Sequence, residues 1–314
     1  MTNSTTKTSA PPFPPWTDPL WDARLSALSE LSASCRICPR ACKVDRTTTL
    51  GVCRAPAELY VSSINLHTGE EPPISGERGS GTVFLSWCNL RCAFCQNYPI
   101  SAMGVGKPTT AAQLAQDMLG LQKRGAHNIN FVSPTQYSHL VAEAIVRARR
   151  AGLRVPIVWN SNGYESLETL RLMDGLVEVY LPDIKYSEEE PAVRLSGAPH
   201  YFETAQAATI EMNRQVGVLT CGDDGIAVRG LLIRHLVLPG GLAGSRRVLK
   251  FIARKLGTDT HLSLMSQYFP ANRAPDMPEI SRRINSDEYR EALDALEEFG
   301  LENGFAQDED LEQD

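Results

Sequence analysis

From Gly81 onward the chain alternates short β-like runs with helical stretches, and the alternation repeats six times. The runs are TVFLSW, NINFVS, VPIVWNSNG, LVEVYLPDIKY, LLIRHLVLPGG and HLSLMSQYFP. Between them lie stretches such as TTAAQLAQDMLGLQKRG, HLVAEAIVRARRAG, SLETLRLMDG, YFETAQAATIEMNRQ and SRRVLKFIARKLG, which read as helices. Regular β–α alternation predicts a parallel sheet with helices outside it. The expected fold is α/β, a partial TIM-type (β/α)6 barrel. The runs end in polar or Gly/Pro-containing exits: SWCN, VSPT, WNSNG, LPDIK, VLPGG and MSQY. In parallel β/α barrels the chemistry collects at such C-terminal strand ends.

The flanks differ from this core. Residues 1–18, rich in Ser, Thr and Pro, are expected as a flexible tail. Residues 19–59 are expected to hold a helix (Leu20 to Leu31) and a cysteine-rich metal-binding module. The core is expected over 60–270, with a strand at Tyr60–Leu66 and a loop at GEEPPISGERGSG. Residues 271–314 are expected as a helix with Ser286 at its N-cap and an acidic tail. A formal charge of −6 lacks the basic footprint of a nucleic-acid binder. No apolar run is long enough to cross a bilayer, and the first ten residues are polar. The expectation is a cytoplasmic protein with no membrane partner. Its eight cysteines would then be reduced thiols, available to metals or catalysis.

Seven of those thiols lie between Cys35 and Cys95. Cys88, Cys92 and Cys95 are spaced C-x3-C-x2-C at the end of the first core run. Thiolates select zinc, copper(I) or iron–sulfur clusters. A structural zinc wants four protein ligands, and no nearby histidine or cysteine completes this set. A cluster of four irons held by three thiolates leaves one iron open to a substrate.

This triad, with Phe94 before its last cysteine, resembles the signature of the radical S-adenosylmethionine (radical SAM) superfamily. The wider string GSGTVFLSWCNLRCAFCQNYPIS is similar to the group related to pyruvate formate-lyase activating enzyme. The resemblance spans roughly residues 60–270. It implies a 4Fe–4S cluster on Cys88, Cys92 and Cys95 and SAM chelated to the open iron. Reductive cleavage of SAM would give methionine and a 5′-deoxyadenosyl radical that takes hydrogen from a substrate. By the same resemblance, Phe94 packs beside the cluster. Ser133 occupies the second strand exit, where the usual Gly-Gly-Glu pattern is absent. Asn160 stands in WNSNG where an aspartate is expected. Asp183 and Lys185 in LPDIK are a clamp for SAM, and Arg234 suits a carboxylate. His235 should face the other way. Gln267 and Tyr268 end the sixth run near substrate. For His67, Glu70 and Glu71 the favoured reading is a solvated loop.

Cys35, Cys38, Cys42 and Cys53 follow C-x2-C-x3-C-x10-C, and zinc and a second iron–sulfur cluster both fit. This extension departs from the short activating enzymes. The leading expectation is a radical SAM oxidoreductase acting on a polypeptide, installing a glycyl radical on a partner enzyme, with a flavodoxin or ferredoxin as electron donor. The alternatives are radical modification of another peptide or small molecule, and an electron carrier or metal-dependent binding module.

Overall fold

The computed structural model describes residues 15–306. Most of the expected N-terminal tail and all of the acidic end lie outside the described residues. Ten strands appear in chain order: β1 (Leu59–His67), β2 (Ser80–Leu85), β3 (Lys107–Thr109), β4 (Ile129–Val132), β5 (Ile157–Ser161), β6 (Val179–Pro182), β7 (Thr220–Cys221), β8 (Ala227–Leu236), β9 (His261–Met265) and β10 (Gly304–Ala306). The sheet runs β10-β9-β8-β6-β5-β4-β2-β1-β3. From β2 to β9 along that path every pairing is parallel. These strands, β2, β4, β5, β6, β8 and β9, form the partial barrel. β1 closes one side by pairing antiparallel with β2 and β3.

The helices are α1 (Pro19–Ala33), α2 (Pro72–Ser75), α3 (Tyr98–Ser101), α4 (Ala111–Lys123), α5 (Ser138–Arg150), α6 (Leu167–Leu172), α7 (Glu189–Ser196), α8 (Tyr201–Val216), α9 (Ser245–Phe251) and α10 (Ser286–Glu298). Strands covered on both faces need apolar residues without a break, and every residue of β5 and β6 is buried. In α5, Val141, Ala142, Ile145 and Val146 are buried, while Glu143 and Arg147 pair outside at 2.7 Å. α1 packs on α5: Trp21 is buried, and Arg150 donates to Asp22 at 2.9 Å and to the Trp16 carbonyl at 2.8 Å.

Three local expectations are corrected. The C-terminal segment is more than helix and tail, because β10 pairs parallel with β9, Gly304 opposite Leu262. The cap of α10 is Asn285, not Ser286. Its side chain accepts from the Glu288 N–H, and the Glu288 carboxylate accepts from the Asn285 N–H, both at 2.9 Å. This reciprocal pair satisfies two otherwise orphaned donors. The expected loop at GEEPPISGERGSG contains α2, because proline at a first helical position gives up no needed N–H.

The segment from Cys35 to Ala57 contains no helix or strand. A backbone crossing holds it: the Cys35 N–H bonds to Val44 O and the Lys43 N–H to Cys35 O, each at 3.0 Å. Ala41, Lys43 and Arg54 adopt positive φ, at 41°, 56° and 60°. Side chains pin the segment over the strand exits. Thr169 Oγ1 donates to Ile37 O at 2.8 Å, and buried Arg46 donates to Gln136 O at 2.7 Å.

Candidate active site at the strand ends

The chain leaves β2 through Trp87, whose φ of 67° is unusual for a bulky residue, and Cys88 follows at once. Ser133, at the exit of β4, is also left-handed, at 55°. Such conformations cost on the order of 1–3 kcal/mol each and persist where the surroundings over-determine them. At the third exit, Gly163 has φ 75°, and an added Cβ would lie 2.4 Å from Asp183 O, so only glycine fits. These exits surround a cavity of about 260 Å³. Cys88, Cys92 and Cys95 line it together with Phe94, Ser133 and Asn160. Asp183, Lys185 and Arg234 line it as well, as do Gln267 and Tyr268.

Each triad sulfur has a polar partner. Asn162 Nδ2 donates to Cys88 Sγ at 3.3 Å, Ser196 Oγ donates to Cys92 Sγ at 3.0 Å, and Cys95 Sγ pairs with Ser101 Oγ at 3.1 Å. Burial pushes the Cys88 thiol up to about 12. Burial also raises Cys92, against the nearby Lys185 cation. A bound cation would favour the thiolate form of Cys88 and Cys92, and iron would supply one. No three His, Cys, Asp or Glu side chains among the described residues converge on one ion's position. A four-iron cluster takes each thiolate at a separate iron, so its ligands stand wider apart than those of a single ion. Donors to the sulfurs are the outer contacts that tune such a cluster.

The opposite wall is charged. Lys185 Nζ donates to Asp183 Oδ2 at 2.6 Å. Arg234 donates to Asp183 Oδ1 at 3.0 Å, to Glu70 Oε2 at 3.1 Å and to Asn160 Oδ1 at 2.5 Å. Burial opposes ionisation of Asp183, but Lys185 and Arg234 outweigh it and hold the carboxyl below its usual range. Burial opposes charge on Lys185 too, and Asp183 overcomes it. Asp183 and Lys185 thus grip each other, as their two-residue spacing allows. Arg234 already meets carboxylates of this chain.

Glu70 and Glu71 correct the sequence reading. Their side chains are only 8% exposed, and Glu71 Oε2 lies 4.0 Å from Arg234. Glu70 Oε1 accepts from Asn130 Nδ2 at 3.0 Å. Gly and Pro content marked this segment as a loop, and nothing local signals an arginine 164 positions downstream. Asn162 and Ser196 were missed for the same reason: their roles exist only through contact with distant sulfurs. His67 sits edge-on to Phe84, with ring centroids 5.9 Å apart. His235 faces away from the cavity network, bonding Ile184 O at 2.6 Å and Ser245 Oγ at 2.9 Å.

The profile of the Radical SAM superfamily matches residues 82–230. An uncharacterized protein of Methanocaldococcus jannaschii is 31% identical over 291 residues, covering 90% of this chain and 80% of that protein. Residues 82–230 of this chain form a radical SAM superfamily domain. Streptococcus suis SuiB bound to S-adenosylmethionine aligns at TM-score 0.48 and 10% identity, over 70% of this chain and 48% of SuiB. HydG, a maturase of the FeFe-hydrogenase, aligns at TM-score 0.48 and 9% identity, over 72% of this chain and 50% of HydG. The chain thus spans about half the length of both.

A radical SAM domain implies a 4Fe–4S cluster and SAM, and the residues fit both groups. Asp183, Glu70 and Glu71 against Arg234 and Lys185 leave one formal negative charge, while SAM carries one net positive charge. Asn130 Oδ1 and Glu71 Oε2 are buried acceptors without hydrogen-bond partners beside Arg234. An unpaired buried acceptor costs about 1–3 kcal/mol. Bound together, the two groups would supply one-electron cleavage of SAM and hydrogen abstraction. The chain's own part is to hold three sulfurs, orient a cation against the Asp183–Arg234 wall and keep water from the radical. Among the described residues no helix is long and apolar enough to cross a membrane.

Proposed function

We propose that this radical SAM enzyme abstracts hydrogen from a polypeptide and installs a glycyl radical on a partner enzyme. The rim of the cavity carries this reading. Tyr98 and Phe269 are exposed next to the lining residues Asn97 and Tyr268, and Met103 and Val105 are exposed just after α3, which Tyr98 begins. The sheet ends at β3 and β10 instead of closing into a full barrel. An open side with an apolar rim suits an extended peptide better than a small polar metabolite, which enclosure would serve. The similarity of residues 79–101 to the activating enzymes points the same way. The enzyme would work in the cytoplasm with a flavodoxin or ferredoxin as reductant.

The test is anaerobic incubation of the cluster-loaded chain with reductant, SAM and a glycyl radical enzyme from the same source. A glycine-centred radical signal, matched by 5′-deoxyadenosine, is the expected result. Deoxyadenosine with no glycine signal would move the assignment to another radical modification. A fully loaded cluster that never yields deoxyadenosine would leave an electron carrier or binding module.

A further inference from the structure

Cys35, Cys38, Cys42 and Cys53 come together, although ten residues separate the last two. The other three thiols all act electrostatically on Cys38, and burial pushes the Cys38 thiol far up. Cys35, Cys38 and Cys53 are buried, and Cys42 is partly exposed. Four thiolates can close either a zinc site or a four-iron cluster, and what lies beside them decides between the two.

The four thiols also lie against the triad. Arg91, inside the triad motif, donates to Val52 O at 3.3 Å, one residue before Cys53. Arg40, two residues after Cys38, donates to Asn89 O at 2.9 Å, one residue after Cys88. Arg40 also lies 5.3 Å over the Tyr164 ring. Tyr164 stacks on Tyr201 at 6.1 Å, Tyr201 meets Tyr186 at 5.5 Å, and Tyr186 meets Phe94 at 6.4 Å. The rings of Tyr164, Tyr201, Tyr186 and Phe94 thus line up between Arg40 and the triad motif. A purely structural knot has no need of this proximity.

The outer face of the junction is basic in a chain of net charge −6. Arg54 and Arg273 are exposed, and Arg91 between them is partly exposed. Arg273 Nη2 also donates to Arg91 O at 3.2 Å.

The geometry points to a second 4Fe–4S cluster on Cys35, Cys38, Cys42 and Cys53 that takes single electrons from an acidic carrier docked on Arg54, Arg91 and Arg273 and hands them to the triad-held cluster. The carrier, a reduced low-potential flavin or iron–sulfur protein, loses one electron. The module gains that electron and returns to its oxidised state on passing it on. The triad-held cluster ends one electron more reduced, and no bond or proton changes hands. This rests on the radical SAM assignment and not on the choice of substrate.

The test uses the full chain, reconstituted anaerobically, with iron, sulfide and zinc counted and reduced samples examined by low-temperature paramagnetic resonance. The parent should hold about eight irons per chain and show two paramagnets, only one of them altered by SAM. Replacing Cys35, Cys38, Cys42 and Cys53 with serine should leave about four irons and only the SAM-responsive signal. About four irons in the parent, with or without one zinc, would overturn the inference. In case the fourfold variant fails to fold, Arg54→Glu with Arg273→Glu leaves every thiol in place. With reduced flavodoxin as probe, this variant should lose the fast, salt-sensitive phase of triad-cluster reduction, while reduction by dithionite is unchanged. Equal flavodoxin rates in parent and charge-reversed variant would also overturn it. A missing glycyl radical, with these results intact, would sink only the substrate assignment.

Discussion

Cys88, Cys92 and Cys95 follow a strand of the main sheet, whereas Cys35, Cys38, Cys42 and Cys53 sit in a segment without helix or strand. Around the first set every sulfur has a hydrogen-bonding partner supplied by another part of the chain: Asn162 after β5, Ser196 in α7 and Ser101 in α3. Around the second, Cys53 accepts from the Ala55 N–H at 3.4 Å, and the chain bends through three left-handed residues to bring its thiols together. The difference is one of what does the organising. The triad belongs to a scaffold whose parallel strands fold by burying both faces. The module lacks such a scaffold, and segments of that kind commonly depend on their metal to fold.

The largest effect expected from this contrast is on chemistry. Serine at 88, 92 and 95 should abolish 5′-deoxyadenosine production while the far-ultraviolet circular dichroism of the barrel stays that of the parent. Anaerobic chelation should expose residues 35–57 to protease before the barrel is cut. Cleavage of the barrel first would break the comparison.

Next is the charged wall that the barrel alone assembles. Arg234→Ala strands Glu70 in a buried site, leaves Asp183 to Lys185 alone, and should cost about 3–5 kcal/mol in a denaturant titration. Arg234→Lys should recover part of that loss but not the three-way contact with Asp183, Glu70 and Asn160. If Arg234→Ala is as stable as the parent, the wall is not part of what the fold organises.

A smaller effect should follow pH. Burial raises Glu165 from 4.5 to about 7, against hydrogen bonds from Thr135 and Trp159. A raised carboxyl contributes stability that is full below its unfolded pKa and is lost as pH rises through the folded one. Parent stability should therefore fall between about pH 4.5 and pH 7, by at most about 3 kcal/mol. Glu165→Gln should remove that slope, read as denaturation midpoints at pH 5 and pH 8. An unchanged slope would show that Glu165 is not its source.

Smallest is the outer contact to one sulfur. Asn162→Ala removes a donor to Cys88, and should weaken iron retention at the triad about 10- to 100-fold while sparing the module. Equal loss from both sets would mean that the two centres are less separate than their scaffolds suggest.

Local pattern carried much of this. The β–α rhythm, the strand exits and both cysteine spacings are properties of neighbouring residues, so the partial barrel and the thiol sets were legible before any coordinates. The Asp183–Lys185 pair was legible for the same reason, since residues two apart on an extended chain share a face. The cap of α10 was displaced by one residue because Asn285 and Ser286 are both good caps and the reciprocal bond with Glu288 decides between them.

Sequence alone determined that this chain alternates strand and helix and that it carries three thiols in one tight motif and four in another. Only the tertiary structure decided that Glu70 and Glu71 are buried against Arg234, that Asn162 and Ser196 serve the triad, and that the module rests on Arg91 and Tyr164. Periodicity and spacing report contacts within a few residues. These contacts join residues dozens to more than a hundred positions apart, and they form only when the parallel strands bring their ends to one rim.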